Sequence, residues 1–258
     1  LHALLYRANA APNERKINIP LSTRDGKTWF GEIQLLLKQP ALLSYHYEVR
    51  RGTRTTRTEW HAVPRVLYAD PAAGHYFLQD LWRDLPAASW LYSSAVTDVF
   101  ERRTRFALAP VKLFARTVLL RAQTPVLPGG KLYVCGAASE LGNWNPKHAV
   151  QMTEGEYNEW SLSLNAWSAN QTEYKFILKT QDQVLWEQGP NRRLEVPPLK
   201  NGDVWVENDL RPCFGTMDFL RAAGTVLPVF ALRSQDGWGV GDFGDLEKLS
   251  EWARQTGQ

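Results

Sequence analysis

"TEYKFILKTQD" at residues 172–182 and "LSYHYEVRRG" at residues 43–52 echo one another: in each, apolar and aromatic residues alternate with polar ones until a charged turn. A period of two places alternate side chains on one face, so both runs predict a half-buried β-strand. Three further pairs fall in the same order around them. "IPLSTRDGKTWFGEIQLLL" (19–37) is echoed by "AVQMTEGEYNEWSLSL" (149–164), which sets Trp29 against Trp160. "RTEWHAVPRVL" (57–67) is echoed by "VLWEQGPNRRL" (184–194), and "YFLQDLWRDLP" (76–86) by "VWVENDLRP" (204–212). The offsets are all about 126 to 131 residues, so the chain reads as two copies of one module.

Short alternating runs separated by Gly, Pro, Asn and Asp are the pattern of antiparallel strands in a sandwich or open barrel. The clearest strands of the second copy are 131–137, 159–167, 172–180 and 202–210. The expected fold is therefore mainly β, with a first β-sandwich at 1–86, a connector at 87–115 and a second sandwich at 116–212. The connector carries Trp90, Tyr92, Phe100 and Phe106, which predicts at least partial order. From 213 to 258 the character changes. "TVLPVF" (225–230) predicts an apolar strand, 231–244 is a glycine-rich loop, and Leu246, Leu249 and Trp252 stand at helical spacing behind an Asp245 cap. Strand, loop and helix in that order predict the opening βα unit of an incomplete domain that continues beyond Gln258.

The charge balance, 30 Lys and Arg against 27 Asp and Glu, gives no basic stripe of the kind nucleic-acid binding needs. The cationic "RRGTRTTR" (50–57) reads as a solvated hairpin tip. No apolar run approaches membrane-spanning length. Cys135 and Cys213 match no metal-ligand spacing and read as buried thiols, so a soluble, cytoplasmic protein without metal or cofactor is expected. None of the five histidines sits in a nucleophile motif, and the G-V-G-D-F-G of 239–244 lacks both the P-loop ending and dinucleotide spacing.

The distinctive feature is eleven tryptophans. Trp160, Trp167 and Trp205 lie in alternating strands and are expected in the core. Trp144, between Gly142-Asn143 and Asn145-Pro146, has the setting of an exposed turn. Trp186 follows Val184-Leu185 and fits either environment. A sugar ring offers a flat C–H face and a hydroxyl rim, so its site wants aromatic plates and fixed polar groups. Trp144 with Asn143 and Asn145 beside it, Trp186 with Glu187 and Asn191 close behind it, and Lys175, a charge inside an apolar strand, together make a candidate carbohydrate platform. Lys175 equally fits a strand residue with its ammonium in solvent.

"LYVCGAASELGNWNPKHAV", "EYKFI" and "VLWEQGPNRRLEVP", in that order, resemble the family 20 starch-binding carbohydrate-binding module, a β-sandwich found on amylolytic enzymes. The resemblance covers about 116–212; the first copy resembles the same module without its opening strands. It implies a glucan site in which Trp144 and Trp186 stack on sugar while Lys175, Glu187 and Asn191 bond its hydroxyls. It implies a possible second site at Tyr157 and Trp160, with Pro128 where another tyrosine is expected. In the first copy Trp60 matches the second stacking tryptophan, with His46 for the lysine and His61 for the glutamate, a weak site. Residues 220–257 resemble the start of the family 77 glycoside hydrolase domain of 4-α-glucanotransferases (amylomaltases). That resemblance implies a (β/α)8 barrel begun at 225–230, and a retaining two-carboxylate transfer whose carboxylates lie beyond Gln258. No residue of this chain is assigned a catalytic role, and Asp236, Asp242 and Asp245 are not promoted to one. The partners expected are starch, glycogen-like glycans or maltooligosaccharides. The alternative is a pair of structural modules that bind no glucan.

Overall fold

The two echoing runs are the longest strands among the residues that the computed structural model describes, which are 2–7, 17–63, 65–86, 89, 111–124, 129–155, 158–167, 171–215, 227–235, 237 and 239–256. The first copy contributes β1 (His2–Arg7), β2 (Ile17–Pro20), β3 (Ser22–Thr23), β4 (Trp29–Phe30), β5 (Ala41–Arg51), β6 (Arg54–Thr58), β7 (Arg65–Ala69) and β8 (His75–Gln79). The second contributes β9 (Thr117–Gln123), β10 (Lys131–Gly136), β11 (Val150–Gln151), β12 (Thr153–Glu154), β13 (Glu159–Asn165), β14 (Gln171–Lys179), β15 (Val184–Trp186), β16 (Arg192–Glu195) and β17 (Asp203–Leu210). The chain divides into two units, Leu1–Gly215 and Thr216–Gln258.

Within the first unit the same sheet is built twice. One has the order β2-β1-β5-β6 with β7 also on β5; the other has β11-β10-β14-β15 with β16 also on β14. In each, the long strand outlasts its hairpin partner and takes a second. Glu48–Arg51 pair with β6 and Ala41–Tyr45 with β7, as Ile177–Lys179 pair with β15 and Gln171–Tyr174 with β16.

A third sheet, β12-β13-β9-β17-β8, joins the copies, because β17 runs parallel to β9 on one side and to β8 of the first copy on the other. The expected pair of purely antiparallel sandwiches is corrected here, since this sheet is mixed and draws on both copies. Strands covered on both faces are apolar without interruption, as in Val118-Leu119-Leu120 of β9. Val118 and Leu120 enter the main core with Leu132, Val134, Trp160, Leu162, Phe176 and Leu194. Leu119 packs on the opposite face with Val204 and Val206, against Tyr76 and Leu78 of the first copy. Tyr76 and Leu78 also pack on the first copy's own smaller core of Ala41, Leu43, Tyr45, Leu67 and Ala69.

The second unit overturns the barrel expectation. Of the strand expected at 225–230, residues 225 and 226 lie outside the described residues, Leu227 and Pro228 are irregular, and Val229–Ala231 form a 3-10 turn. A strand needs a neighbour to take its N–H and C=O groups, and among the described residues of this unit none is a strand. One helix, α1 (Phe243–Thr256), follows. Its cap also differs from expectation. Asp242 accepts from the Gly244 and Asp245 N–H groups (2.8 and 3.2 Å), and Asp245 accepts back from the Asp242 N–H (3.2 Å). Asp242 is thus the N-cap and Asp245 its reciprocal partner one turn in, as in a capping box. The connector's aromatics and Asp236 lie outside the described residues.

Candidate functional site

The loop bearing Trp144 is held in a left-handed course. After β10, Ser139–Leu141 form a 3-10 turn anchored by the fully buried Leu141. Gly142, Asn143 and Trp144 then follow at φ of 84°, 50° and 59°. At Gly142 a Cβ would lie 2.6 Å from the His148 carbonyl oxygen, so glycine is required there twice over. For a residue as bulky as tryptophan, positive φ costs about 1–3 kcal/mol and persists only where neighbouring contacts impose it. Those contacts are present. The Trp144 N–H donates to Gly136 O (2.8 Å), the Asn145 N–H donates to Gly142 O (2.9 Å), and the Asn145 side chain caps the Pro146–His148 turn. Asn143 and Asn145 are thereby loop-shaping residues, both exposed.

Trp186 closes β15 opposite Ile177 of β14, with 38% of its surface exposed. The half-buried Trp144 lies beside it, the ring centroids 6.4 Å apart and the planes inclined by 38°. Lys175, Ile177 and Lys179 share one face of β14 by the strand period, while Tyr174 and Phe176 on the other face enter the core. Lys175 donates to the Glu187 and Gly189 carbonyls (3.1 and 2.6 Å), tying down the turn after Trp186. Asn191 is exposed; its amide donates to Glu173 (3.0 Å) and leaves its oxygen unpartnered among the described residues.

Glu187 departs from its expected role. It is 5% exposed, its carboxylate accepts the Phe176 N–H (3.2 Å), and Arg192 grips both oxygens. It fills the gap where β14 changes partner from β15 to β16, supplying an acceptor to an N–H that the sheet would leave bare. A buried carboxylate so engaged has no room for a sugar hydroxyl. Arg192, which keeps the Glu187 charge paired, was not singled out from the sequence.

The first copy contains the same device. Glu59 donates its N–H to Tyr47 O (3.1 Å) and accepts the Tyr47 N–H on its carboxylate (3.1 Å), as Glu187 does with Phe176. Arg65 grips Glu59 through Nε and Nη2 (3.0 and 2.9 Å), and stands opposite Tyr45 as Arg192 stands opposite Tyr174. Each arginine also reaches a backbone carbonyl beyond the module's last strand, Leu81 for Arg65 and Arg211 for Arg192. Glu59, not His61, therefore occupies the place of Glu187, and Thr58, not Trp60, that of Trp186. Trp60 falls two residues out of register with a stacking plate. His46 does occupy the place of Lys175, but its ring stacks on His61 (4.9 Å, 17°), and His61 Nδ1 bonds Glu59 O (2.9 Å), the carbonyl equivalent to one that Lys175 covers.

Trp160, offered for a second site, is 1% exposed and donates its indole N–H to Thr124 O (3.1 Å). Its ring has no face open to a sugar, and Tyr157 lies outside the described residues. Cys213, expected buried, is exposed; Cys135 is buried, and both are free. Among the described residues no group of three His, Cys, Asp or Glu side chains could hold a metal ion, and no helix is long and apolar enough to cross a membrane.

With that geometry in hand, residues 116–204 match the family model "Starch binding domain". The chain is similar to Glucoamylase-1 of Schizophyllum commune, 38% identical over 91 residues, covering 34% of this chain and 16% of that protein. It is also similar to a thermophilic beta-amylase of Thermoanaerobacterium thermosulfurigenes, 31% identical over 80 residues and covering 30% and 14%. A third relative is a cyclomaltodextrin glucanotransferase of Bacillus sp. (strain 17-1), 31% identical over 109 residues and covering 41% and 14%. The chain thus spans about a sixth or less of the length of these relatives. Residues 116–204 form a carbohydrate-binding module of the starch-binding type, of the kind associated with enzymes that act on starch-like glucans.

The family 77 expectation does not survive. These relatives are a glucoamylase, a beta-amylase and a cyclomaltodextrin glucanotransferase, not amylomaltases, and no barrel strand stands among the described residues of the tail to support the resemblance. A glycine-rich loop leading into a capped helix is common to many folds, so that stretch carried little specificity.

Proposed function

We propose that this chain is the α-glucan-binding part of a larger enzyme acting on starch or related glucans. The observation that carries the reading is the pair of neighbouring tryptophans, 6.4 Å apart and inclined by 38°, presented by a strained loop and a strand end. Inclined plates suit an α-linked chain, whose successive sugar rings are turned against one another along a curve. Lys175 and the exposed Asn191 supply polar groups at the rim, and Glu187 acts from beneath by holding the Trp186 strand end in place. The module would raise the concentration of glucan beside a catalytic domain. For the whole enzyme, transfer of α-1,4-glucan segments by a retaining route is the proposed chemistry, supported by the glucanotransferase among the relatives.

The matching strand order and the Glu59–Arg65 and Glu187–Arg192 pairs support reading 1–86 and 116–212 as two copies of one module. For the first copy a structural role is the better reading, because it keeps the clamp and has Thr58 in the place of Trp186. The test is calorimetric titration of the chain with maltoheptaose and β-cyclodextrin, for wild type and for Trp144→Ala and Trp186→Ala. Saturable binding weakened about three- to tenfold in each variant is expected from the loss of one aromatic plate. Absence of saturable binding in the wild type, or wild-type affinity in both variants, would refute it.

A further inference from the structure

Lys179 has the geometry of a splint for the tryptophan platform. Its Nζ donates to Pro146 O (2.7 Å), two residues beyond Trp144, and stands 4.0 Å from the centroid of the Tyr133 ring. Tyr133 is itself fixed, its hydroxyl donating to Gln151 Oε1 (3.1 Å) on β11. One row of side chains crosses the outer face of the sheet as Gln151, Tyr133, Ile177 and Trp186, each opposite the next in register. Lys179 stands on the same strand face as Ile177, next to this row, opposite Lys131 on β10 and Val184 on β15. Lys175, four residues earlier on that face, holds the turn after Trp186. The two plates are thus each tied to β14 by a lysine from the same strand.

We propose that Lys179 is a positioning residue for glucan binding: by fixing Pro146 against Tyr133 it sets the separation and inclination of Trp144 relative to Trp186. The inference rests on the glucan-binding reading above. A loop with three consecutive left-handed residues relaxes toward ordinary backbone angles once an anchor is lost, which would carry the Trp144 ring off its plane. A two-plate site tolerates little of that, because both rings must meet one ligand at once.

The test uses the whole chain with β-cyclodextrin and maltoheptaose as probes. Lys179→Met, which keeps the stem and removes the donor and charge, is expected to weaken binding about three- to tenfold, with a melting midpoint within about 2 °C of wild type. Lys179→Arg should restore most of the affinity, and Tyr133→Leu should give a smaller loss. In a double-mutant cycle, Lys179→Met should add nothing on a Trp144→Ala background, since it acts through that ring. Wild-type affinity of Lys179→Met beside weakened Trp144→Ala overturns the positioning role and leaves the binding reading intact. Additive losses in the cycle, or a loss accompanied by a large fall in midpoint, also overturn it. Wild-type affinity in the tryptophan variants defeats the binding reading itself.

Discussion

Replacing Arg65 by Met should destabilise the chain more than the equivalent change at Arg192, although Arg192 is nearer the proposed glucan platform. Arg65 is 2% exposed and faces three carboxylates, Glu59 at 2.9 Å, Asp80 at 3.4 Å and Asp209. Two of its partners come from its own module, but Asp209 lies on β17 of the other copy, in the left-handed region at φ 59° where β17 bulges. Arg83 contacts Asp209 from the other side at 2.6 Å. Asp80 also accepts from the hydroxyls of Tyr45 and Tyr47 and from Asn208. Removing one guanidinium therefore strands buried negative charge on both sides of the seam between the copies. Breaking such a pair costs about 3–5 kcal/mol. Arg192 is 28% exposed and answers one buried carboxylate, so solvent screens part of its loss and about 1–2 kcal/mol is expected. For a unit of this size, 1 kcal/mol moves the midpoint by roughly 2–4 °C, so Arg65→Met should melt about 6–20 °C lower and Arg192→Met about 2–8 °C lower. Circular dichroism melts at pH 7 measure both. A midpoint for Arg65→Met within 2 °C of wild type, or a larger fall for Arg192→Met, would refute the claim that the seam is held by this cluster.

Three other outcomes follow from the same structure. Burial alone would raise the Asp209 carboxyl, but Arg65 and Arg83 hold it below its ordinary range. A depressed folded value contributes stability above the unfolded pKa of about 3.9 that is lost as pH falls through the folded one, so the midpoint should drop below about pH 4, and less steeply in Arg65→Met. Burial pushes Glu207 the other way, raising its carboxyl despite the Trp205 indole N–H it accepts. Its stabilisation is therefore greatest in acid and declines as pH rises past the ordinary glutamate value, and Glu207→Gln should raise the midpoint at pH 7; a fall there would contradict it. Trp160→Ala should cost about 3–5 kcal/mol in a urea melt, with glucan affinity of the folded fraction unchanged, because this ring belongs to the core and not to a binding face.

The strands were legible because period two is a strong local signal, and the four runs singled out in the second copy coincide with β10, β13, β14 and β17 to within two residues. Register between the copies was less legible. Aligning tryptophan to tryptophan placed Trp60 on Trp186, whereas the conserved physics lies in a glutamate followed by an arginine, Glu59 to Arg65 and Glu187 to Arg192. Two charged residues in runs of strand read as solvated surface unless their pairing is considered, and pairing is a property of the folded sheet. The joining of the copies through β8 and β17 was illegible for a similar reason: a parallel pair between distant segments leaves no short-range pattern. The barrel expectation failed at the opposite extreme, where local pattern was read without the neighbours that a strand needs.

The repeated clamp also separates what maintains the fold from the residues proposed to bind glucan. In both copies the glutamate closes the gap where the long strand changes partners, and the arginine balances it, so these residues are tied to the architecture whatever the surface does. The residue immediately before the glutamate is held at a fixed place on the outer face by that same contact. In the second copy it is Trp186, and in the first it is Thr58. A single position can thus gain or lose an aromatic plate without disturbing the sheet. The Trp144 loop is the costlier half, since it needs Gly142, two further left-handed residues and an anchor on β14. The first-copy residues matching that loop in the sequence echo, "APNER" (11–15), lie outside the described residues and contain no aromatic. Thr58→Trp alone should therefore leave the stability of the first copy nearly unchanged and create no measurable glucan binding there, because the new ring would lack both a second plate and the lysine, whose place His46 takes with its ring stacked on His61. Acquired binding in a Thr58→Trp, Trp144→Ala, Trp186→Ala variant, read by calorimetry with β-cyclodextrin, would show instead that a single ring suffices on this sheet without a second plate or the lysine.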